Sequence, residues 1–482
     1  MVFRSIFQLL FIISGLLLFI SCSPQHEEGA QDPVSSELDK RRIMLPNGWS
    51  ISPAGKRLSL GDLPLNLVIS PSAKLMAVTN NGQSRQSITL IDPVEEKILD
   101  EVEIRKSWYG LAFNEDGTKL FASGGNDNMI VIYNTSQRRL VRSDSIILGK
   151  PWPVKISPTG IAIDDGANRL FVATKEDSAL YVIDLTDKSF QKIPLGHEGY
   201  SCLLTPDRKS LYISLWGGDK VAIFDPASMK VVSTIPVGSN PNDMALTRDG
   251  KYLFVASAND NSVSVIETTS RKVIEVVTSS VVPESLTGST TNAVALSEDE
   301  RKLYIANADN NCLAVFDVSE PGESTSLGFI PTDWYPTSVK EWSGRIWITN
   351  GKGSRSLANP KGPNPYTPRT DSTEYIGGLF KGSLTIVQAP DEATLRTYSQ
   401  AVFKNTPYTK AVEEAAEGEE GNPVPRKAGA QSPIKYVFYI IKENRTYDQV
   451  FGDIETGNGD TSICLFPERV TPNQHALARE VV

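Results

Sequence analysis

The sequence predicts a mainly β protein: a seven-bladed β-propeller followed by a truncated α/β segment at the C-terminus. A short apolar strand core that follows a turn recurs seven times, at spacings of roughly 40 to 50 residues. The recurring position is occupied by Leu75, Leu120, Leu170, Leu211, Leu253, Leu303 and Ile346. Near the end of the chain, a continuous apolar run, "IKYVFYII", has a different character from every strand before it.

Each repeat contains the parts of a four-stranded blade. A first strand leads into a turn rich in Pro, Asp and Gly, as in "MALTRDGKY". The strand core follows, then a hairpin rich in Asn and Asp, a third strand such as "SVSVIE" and usually a fourth such as "KVIEVVTS". A blade of this kind has two apolar faces, and stacking blades in a closed ring buries both. We therefore predict that the propeller occupies residues 45–404.

The seventh repeat differs from the others in two respects. It has no evident fourth strand after "SLTIVQ", whereas "KRLSLGD" at residues 56–62 precedes the first repeat without a partner. We predict that this early segment supplies the missing strand and closes the ring. The repeat also contains an insertion at residues 351–382 that is rich in Gly, Pro and Asn. A loop of this length is usually functional or disordered, and we expect it to touch the C-terminal segment.

The N-terminus has the features of a secretion signal over residues 1–21, with Arg4 followed by a short apolar run and small residues. The ending "FISC" resembles a bacterial lipobox, which implies lipidation at Cys22. Ser23 resembles the signal for the outer membrane, so we expect a lipid-anchored protein of the cell envelope. A membrane-spanning anchor is the alternative, but the apolar run is short for a span. A polar tether is predicted over residues 22–44.

Composition narrows the choice of partners. The formal net charge is −9, which disfavours non-specific binding to nucleic acid phosphates. Cys202, Cys312 and Cys464 are far apart and never form a CxxC pair, so neither a disulfide framework nor a zinc site is expected. We interpret them as small buried side chains.

Aromatic and amide residues recur near the starts of the first strands. In a propeller these positions gather at one mouth of the central channel, where they could bind a ligand or a protein partner. Packing between loops and blades is the alternative interpretation. The candidate binding residues are Trp108, Tyr109, Trp152, Tyr200, Asn242, Asn292, Trp334 and Tyr335.

A linker is predicted over residues 405–433, which are acidic and then rich in Gly and Pro. The run "IKYVFYII" after it is typical of a strand covered on both faces in a parallel sheet. The polar elbow "KENRTYD" then falls where such sheets bind ligands. Glu443 and Asn444 offer oxygen ligands for a divalent metal. Alternatively, Asn444 caps the next helix and Glu443 is a surface charge.

Two resemblances extend this interpretation. The repeats resemble the YncE/YVTN-like seven-bladed propellers. Residues 434–482, with "IKENRTYDQVFGDIETGNGD" and "VTPNQHALAREVV", closely resemble the opening of the phosphoesterase family of bacterial phospholipases C and acid phosphatases. That family has an alkaline-phosphatase-like α/β core. The resemblance implies a divalent metal ion at Glu443 and Asn444, a phosphate-ester substrate and metal-dependent ester hydrolysis.

The resemblance also implies that part of the catalytic machinery is missing here. The family's nucleophile is expected beyond Val482, so no catalytic residue is assigned within the chain, which we expect to be a fragment or a frameshift product. Thr471 and Pro472 predict the start of a last helix, which carries His475 without an assigned role. A single strand and two short helices cannot make a covered sheet, so "IKYVFYII" is expected either to be exposed or to pack on the propeller.

Two functional hypotheses follow. The leading one is a cell-envelope lipoprotein of the phosphoesterase family, in which the propeller is a binding platform for a metal-dependent hydrolase domain. The second is a non-catalytic envelope propeller that binds a ligand or a protein partner at its channel mouth.

Overall fold

The computed structural model describes residues 32–72, 74–282, 288–364, 366–407, 422–424, 431–457 and 459–481. The predicted signal peptide, Cys22 and most of the predicted linker lie outside these ranges. Within them, no helix combines the length and the apolar character that a membrane span requires.

The described residues begin with a helix and three short strands that precede the first complete blade. These are α1 (Pro33–Lys40), β1 (Ile43–Met44), β2 (Ser50–Ile51) and β3 (Lys56–Ser59). Strands β1 and β2 pair with each other, and β3 joins the last blade.

Seven four-stranded antiparallel sheets follow, one for each predicted repeat. Blades 1 to 3 are β4 (Pro64–Ile69), β5 (Met76–Asn80), β6 (Ser87–Asp92), β7 (Lys97–Glu103); β8 (Leu111–Phe113), β9 (Lys119–Ser123), β10 (Met129–Asn134), β11 (Val141–Ile147); and β12 (Pro158–Asp164), β13 (Arg169–Thr174), β14 (Ala179–Asp184), β15 (Phe190–Pro194). Blades 4 to 6 are β16 (Gly199–Leu204), β17 (Leu211–Leu215), β18 (Lys220–Asp225), β19 (Lys230–Pro236); β20 (Pro241–Leu246), β21 (Tyr252–Ser257), β22 (Ser262–Glu267), β23 (Lys272–Thr278); and β24 (Thr291–Leu296), β25 (Lys302–Asn307), β26 (Cys312–Asp317), β27 (Thr325–Pro331). Blade 7 consists of β28 (Trp334–Trp342), β29 (Arg345–Gly353), β30 (Ser383–Gln388) and β3.

Burial within a blade follows the position of the strand. The second and third strands are buried along nearly their whole length, as in β5 and β6, because both of their faces meet a neighbouring blade. The fourth strand lies at the outer rim, and β7 accordingly contains only exposed and half-buried residues. This position explains why fourth strands such as "KILDEVE" mix apolar and charged residues.

Ring closure occurs as predicted. Strand β3 pairs antiparallel with β30, and Leu58 lies opposite Leu384. The turn before β3 contains Gly55 at φ +74°, where an added Cβ would lie 2.1 Å from the carbonyl oxygen of Ile386. Glycine is therefore required for β3 to approach its partner strand.

The predicted polar tether is wrong from residue 33 onward, because α1 lies inside it. The side chain of Asp32 caps this helix by accepting a hydrogen bond from the Val34 N–H at 3.1 Å. Leu38 is 3% exposed and belongs to the same core cluster as Leu395 of helix α2 (Glu392–Asn405). Only one of the eight residues of α1 is buried, so the sequence shows no amphipathic helical pattern there. The helix could be recognised only from its packing against α2.

The C-terminal segment contains helices α3 (Tyr447–Phe451) and α4 (Pro472–Val481). The predicted strand "IKYVFYII" is not one: from Tyr436 to Ile441 the side chains are 72% to 89% exposed. Among residues 431–457 and 459–481 there is no strand to pair with it, which is the physical reason that the strand does not form. The predicted exposure of this run is confirmed, and packing on the propeller is not observed.

Candidate functional site

One end of the propeller gathers the starts of the first strands and the loops between second and third strands. In blade 1, Pro64 at the start of β4 pairs with Asn80 at the end of β5. The antiparallel second strand therefore ends where the first strand begins, and the loop that follows it lies at that end of the propeller. We call this end the mouth face. The insertion joins β29 to β30, which are a second and a third strand, so it also emerges on the mouth face.

A group of side chains meets across the central channel, and we call it the cross-channel cluster: Tyr109, Tyr200 and Asp243. They come from blades 2, 4 and 5, which are not all neighbours in the ring. The two tyrosine rings lie 4.8 Å apart, and the Tyr109 hydroxyl donates a hydrogen bond to Asp243 Oδ1 at 2.8 Å. Contacts between such distant repeats require that these side chains point at the propeller axis.

Burial, and then the Asp243 carboxylate, raise the pKa of Tyr109 well above its usual value. Burial, followed by Asp243 and Tyr335, likewise raises the pKa of Tyr200. Both phenols therefore stay neutral at physiological pH, and Tyr109 keeps the proton that it donates to Asp243.

Asn242 and Asn292 lie beside this cluster and bind each other. The Asn242 Nδ2 atom is 3.3 Å from Asn292 Oδ1 and 3.4 Å from the Thr291 carbonyl oxygen. The Val294 N–H donates to Asp243 Oδ2 at 3.2 Å, which joins blade 6 to the same group. The structure thus brings Tyr109, Tyr200, Asn242 and Asn292 of the predicted set together, although much of their hydrogen bonding is internal.

The other aromatic candidates hold lysines on the mouth face. Lys175 Nζ lies 5.6 Å from the ring centroid of Trp108 and 5.2 Å from that of Trp216. Trp152, by contrast, is 58% exposed and contacts Lys155 instead. Sequence reasoning missed Lys175 and Trp216 because they lie in loops between second and third strands. Because the loops between second and third strands lie at the same end of the propeller as the starts of the first strands, residues in those loops could have been included among the candidates.

Blade 7 repeats the arrangement. Lys352 Nζ lies 4.3 Å from the ring centroid of Tyr335 and 5.4 Å from that of Trp334. Trp334 also packs edge-on against Phe380 of the insertion, with ring centroids 5.5 Å apart. The insertion is therefore attached to the channel mouth.

The predicted metal ligands Glu443 and Asn444 lie side by side on an exposed elbow before α3. The alternative assignment of Asn444 as a helix cap is wrong, because Thr446 is the N-cap and its N–H is 3.3 Å from Gln449 Oε1. Across the described part of the chain, no group of three or more His, Cys, Asp or Glu side chains is arranged to hold a metal ion. The metal site stays a prediction.

The elbow contacts the insertion, as the sequence predicted for the C-terminal segment. Arg445 Nη1 donates to the carbonyl oxygen of Pro363 at 3.4 Å. The Tyr366 hydroxyl donates to the carbonyl oxygen of Leu465 at 3.1 Å. The insertion, which emerges on the mouth face, therefore connects the propeller to the elbow and its segment.

His475 is fully buried and connects the two C-terminal helices. Its Nε2 atom is 2.8 Å from Asp453 Oδ1, and its Nδ1 atom is 2.9 Å from the Thr471 carbonyl oxygen. The hydrogen bond with His475 lowers the pKa of Asp453 to about 2. Helix α4 begins at Pro472, as predicted. Through these contacts His475 stabilises the packing of α4.

We expect the Tyr109→Phe variant to lose about 1 to 2 kcal/mol of unfolding free energy, because it leaves the Asp243 carboxylate, 5% exposed, with one donor fewer. Urea denaturation followed by far-UV circular dichroism measures the loss. Tyr375→Phe is the control, since the Tyr375 side chain is 61% exposed. Equal stability of the two variants would contradict the role given to the Tyr109 hydroxyl.

Together these features define the class of protein as a seven-bladed β-propeller. The family described as "Lactonase, 7-bladed beta-propeller" has a sequence model that matches residues 200–337, which span blades 4 to 6 and the start of blade 7. A comparison with curated proteins returned no match.

Solved structures share the propeller fold at low sequence identity. The structure of U3-55K has a TM-score of 0.52 and 12% identity, and the alignment covers 68% of this chain and 98% of that one. The RRP9 WD40 repeats have a TM-score of 0.53 and 12% identity, with 70% and 99% covered. The β-propeller domain of Cps50 (Swd1) from "Myceliophteria thermophila" has a TM-score of 0.50 and 10% identity, with 70% and 99% covered. At these identities the likeness extends to the fold alone.

Proposed function

We propose that this protein is a lipid-anchored phosphoesterase of the cell envelope, in which the lactonase-type propeller is a binding platform for a metal-dependent ester hydrolase segment. The observation that carries the proposal is the motif "IKENRTYDQVFGD", whose Glu443 and Asn444 lie exposed on an elbow that contacts the insertion of blade 7. A site at this position would receive substrate that the propeller holds. The lipid anchor at Cys22 and the envelope location rest on the N-terminal sequence.

The elbow residues fit a hard divalent cation in chemical type. A carboxylate and an amide oxygen are ligands of the kind that such ions prefer, and both side chains face solvent. Two ligands do not complete a coordination shell, so the remaining ligands would be water or groups outside the described residues. A bound metal ion would polarise a phosphoryl oxygen and lower the pKa of a hydroxyl nucleophile. Glu443 and Asn444 would hold and orient that ion.

Metal titration tests this assignment. We expect the chain to bind Mn²⁺ in isothermal titration calorimetry, and the Glu443→Gln/Asn444→Ala double variant to bind it at least about tenfold more weakly, since it loses two ligands. Glu455→Gln removes an exposed carboxylate from the same segment and is the matched control. Equal affinity of the double variant and the parent would refute the metal site.

Hydrolysis of an aryl phosphate by the protein in its natural length tests the reaction itself. Turnover is expected to require a divalent metal and to be lost in the Glu443→Gln variant. Turnover that persists with chelator present would exclude the metal-dependent reaction.

The cross-channel cluster favours a second candidate, a non-catalytic propeller that binds a ligand or partner at its mouth. The rings of Tyr109 and Tyr200 and the paired amides beside them form a recessed polar and aromatic surface. A chain lacking residues 406–482 separates the candidates. Retained binding and unchanged stability of this shorter chain, with no effect of Glu443 substitution on function, would favour the second candidate.

A further inference from the structure

Two lysines on the mouth face carry positive charges that no carboxylate neutralises. Some other cations of this face are paired: Arg105 Nη2 lies 2.8 Å from Asp127 Oδ1, and Lys381 Nζ lies 3.7 Å from Asp62 Oδ1. Within the described ranges, Lys175 and Lys352 form no ion pair and contact aromatic rings instead. In a chain of net charge −9, unpaired lysines held in this way are distinctive.

The aromatic rings fix the positions of these charges. Trp108 and Trp216 flank Lys175 from blades 2 and 4, whereas Tyr335 and Trp334 hold Lys352 in blade 7. A long flexible lysine normally loses rotamer freedom when it binds a ligand. Contact with two rings removes much of that freedom beforehand, so an anion would meet an ammonium group that is already in place.

The lysines come from blades 3 and 7, which are not neighbours in the ring, and each is linked to the cross-channel cluster through an aromatic residue. Trp108 is next in sequence to Tyr109, and Tyr335 lies close enough to Tyr200 to affect its pKa, after burial and Asp243. The Asp243 carboxylate of that cluster would repel an anion. A negatively charged group is therefore favoured at the lysines, while a ring attached to it can stack on the half-buried indoles.

We propose that Lys175 with Trp108 and Trp216, and Lys352 with Trp334 and Tyr335, form two binding positions on the mouth face for a ring-bearing phosphate monoester. The charges and rings define an anionic, ring-bearing ligand; the choice of phosphate rests on the proposed function. Both positions hold the ester on the face from which the insertion extends to the elbow. They are separate from Glu443 and Asn444 and do not need a metal ion.

Binding of phenyl phosphate to the full chain, measured by calorimetry with EDTA present, tests the proposal. We expect the Lys175→Met/Lys352→Met variant to bind at least tenfold more weakly, because it keeps the side-chain stems and removes both charges. Lys272→Met, in an outer strand, is the control and should bind as the parent does. The parent should also prefer phenyl phosphate to both inorganic phosphate and phenol.

Several results would overturn the proposal: absence of phenyl phosphate binding by the parent, an affinity unchanged in the double variant, or equal affinity for phenol. If the double variant has an altered urea midpoint, the single variants Lys175→Gln and Lys352→Gln take its place. Loss of metal binding in Glu443→Gln with retained phenyl phosphate binding separates this site from the metal site. A chain that binds no metal but still binds phenyl phosphate would refute the proposed function while supporting the mouth-face site.

Discussion

Replacing Trp347 with alanine is expected to lower the free energy of unfolding by about 4 kcal/mol. The Trp347 side chain in β29 is 0% exposed and is the largest of the fully buried side chains described. It packs in the cluster that includes Leu67 of blade 1 and Leu384 of blade 7. The cavity would therefore open at the junction where the ring closes, and the loss of packing would affect both blades.

Urea denaturation followed by far-UV circular dichroism measures this effect. Trp152→Ala is the matched control, because Trp152 is 58% exposed and its truncation should change stability by no more than about 0.5 kcal/mol. Trp347→Phe keeps most of the ring volume and should lie between the parent and the alanine variant. A Trp347→Ala loss no greater than that of the control would show that this junction is not tightly packed.

The Arg57→Ala variant is expected to lose about 2 kcal/mol of unfolding free energy at neutral pH. Arg57 belongs to the closing strand β3, and its Nη1 atom lies 3.0 Å from Oδ1 of Asp333, whose side chain is 0% exposed. Removing the guanidinium leaves a buried carboxylate with Ser383 Oγ, at 2.7 Å, as its remaining side-chain donor. The 44% exposure of Arg57 keeps the expected loss below that of a fully buried pair.

The pH dependence of this loss has a defined sign. Burial raises the pKa of Asp333, and the hydrogen bond from Ser383 and the charge of Arg57 oppose that rise. Without Arg57 the folded-state pKa of Asp333 rises further above its unfolded value. A carboxyl group whose pKa is higher in the folded than in the unfolded protein lowers the free energy of unfolding as the pH rises between those two pKa values. The deficit of Arg57→Ala should therefore be smaller at pH 4.5 than at pH 7.5.

Arg85→Ala is the control for this experiment, since Arg85 and Glu103 form an ion pair with side chains 59% and 65% exposed. Its unfolding free energy should stay close to that of the parent at both pH values. A deficit of Arg57→Ala that grows on acidification would contradict the assigned role of Asp333.

The propeller could be predicted from the sequence because its signals are local and repeated. Each blade repeats the same turn, hairpin and strand pattern, so the number of blades follows from counting positions such as Leu120 and Leu253. The closing strand could be predicted for a related reason. The seventh repeat lacked a fourth strand, and the segment at residues 56–62 belonged to no repeat. In the structure, β3 from that segment pairs with β30 of the seventh blade.

The elements outside the repeats were harder to predict. Helix α1 depends on Leu38 and on contact with α2, a partner more than 350 residues away in the sequence. The run from Tyr436 to Ile441 has the composition of a buried strand but remains exposed. Apolar composition creates a tendency to pair, whereas pairing itself requires a second strand.

By itself, the sequence determined the seven blades, their closure by β3 and the aromatic positions at the channel mouth, since periodicity and turn residues act over short distances. Only the tertiary structure decided which of those side chains meet. Tyr109 reaches Asp243 across the channel, and Lys175 lies between Trp108 and Trp216. These contacts join blades that are distant in the chain, and no local pattern encodes the curvature of the ring that brings them together.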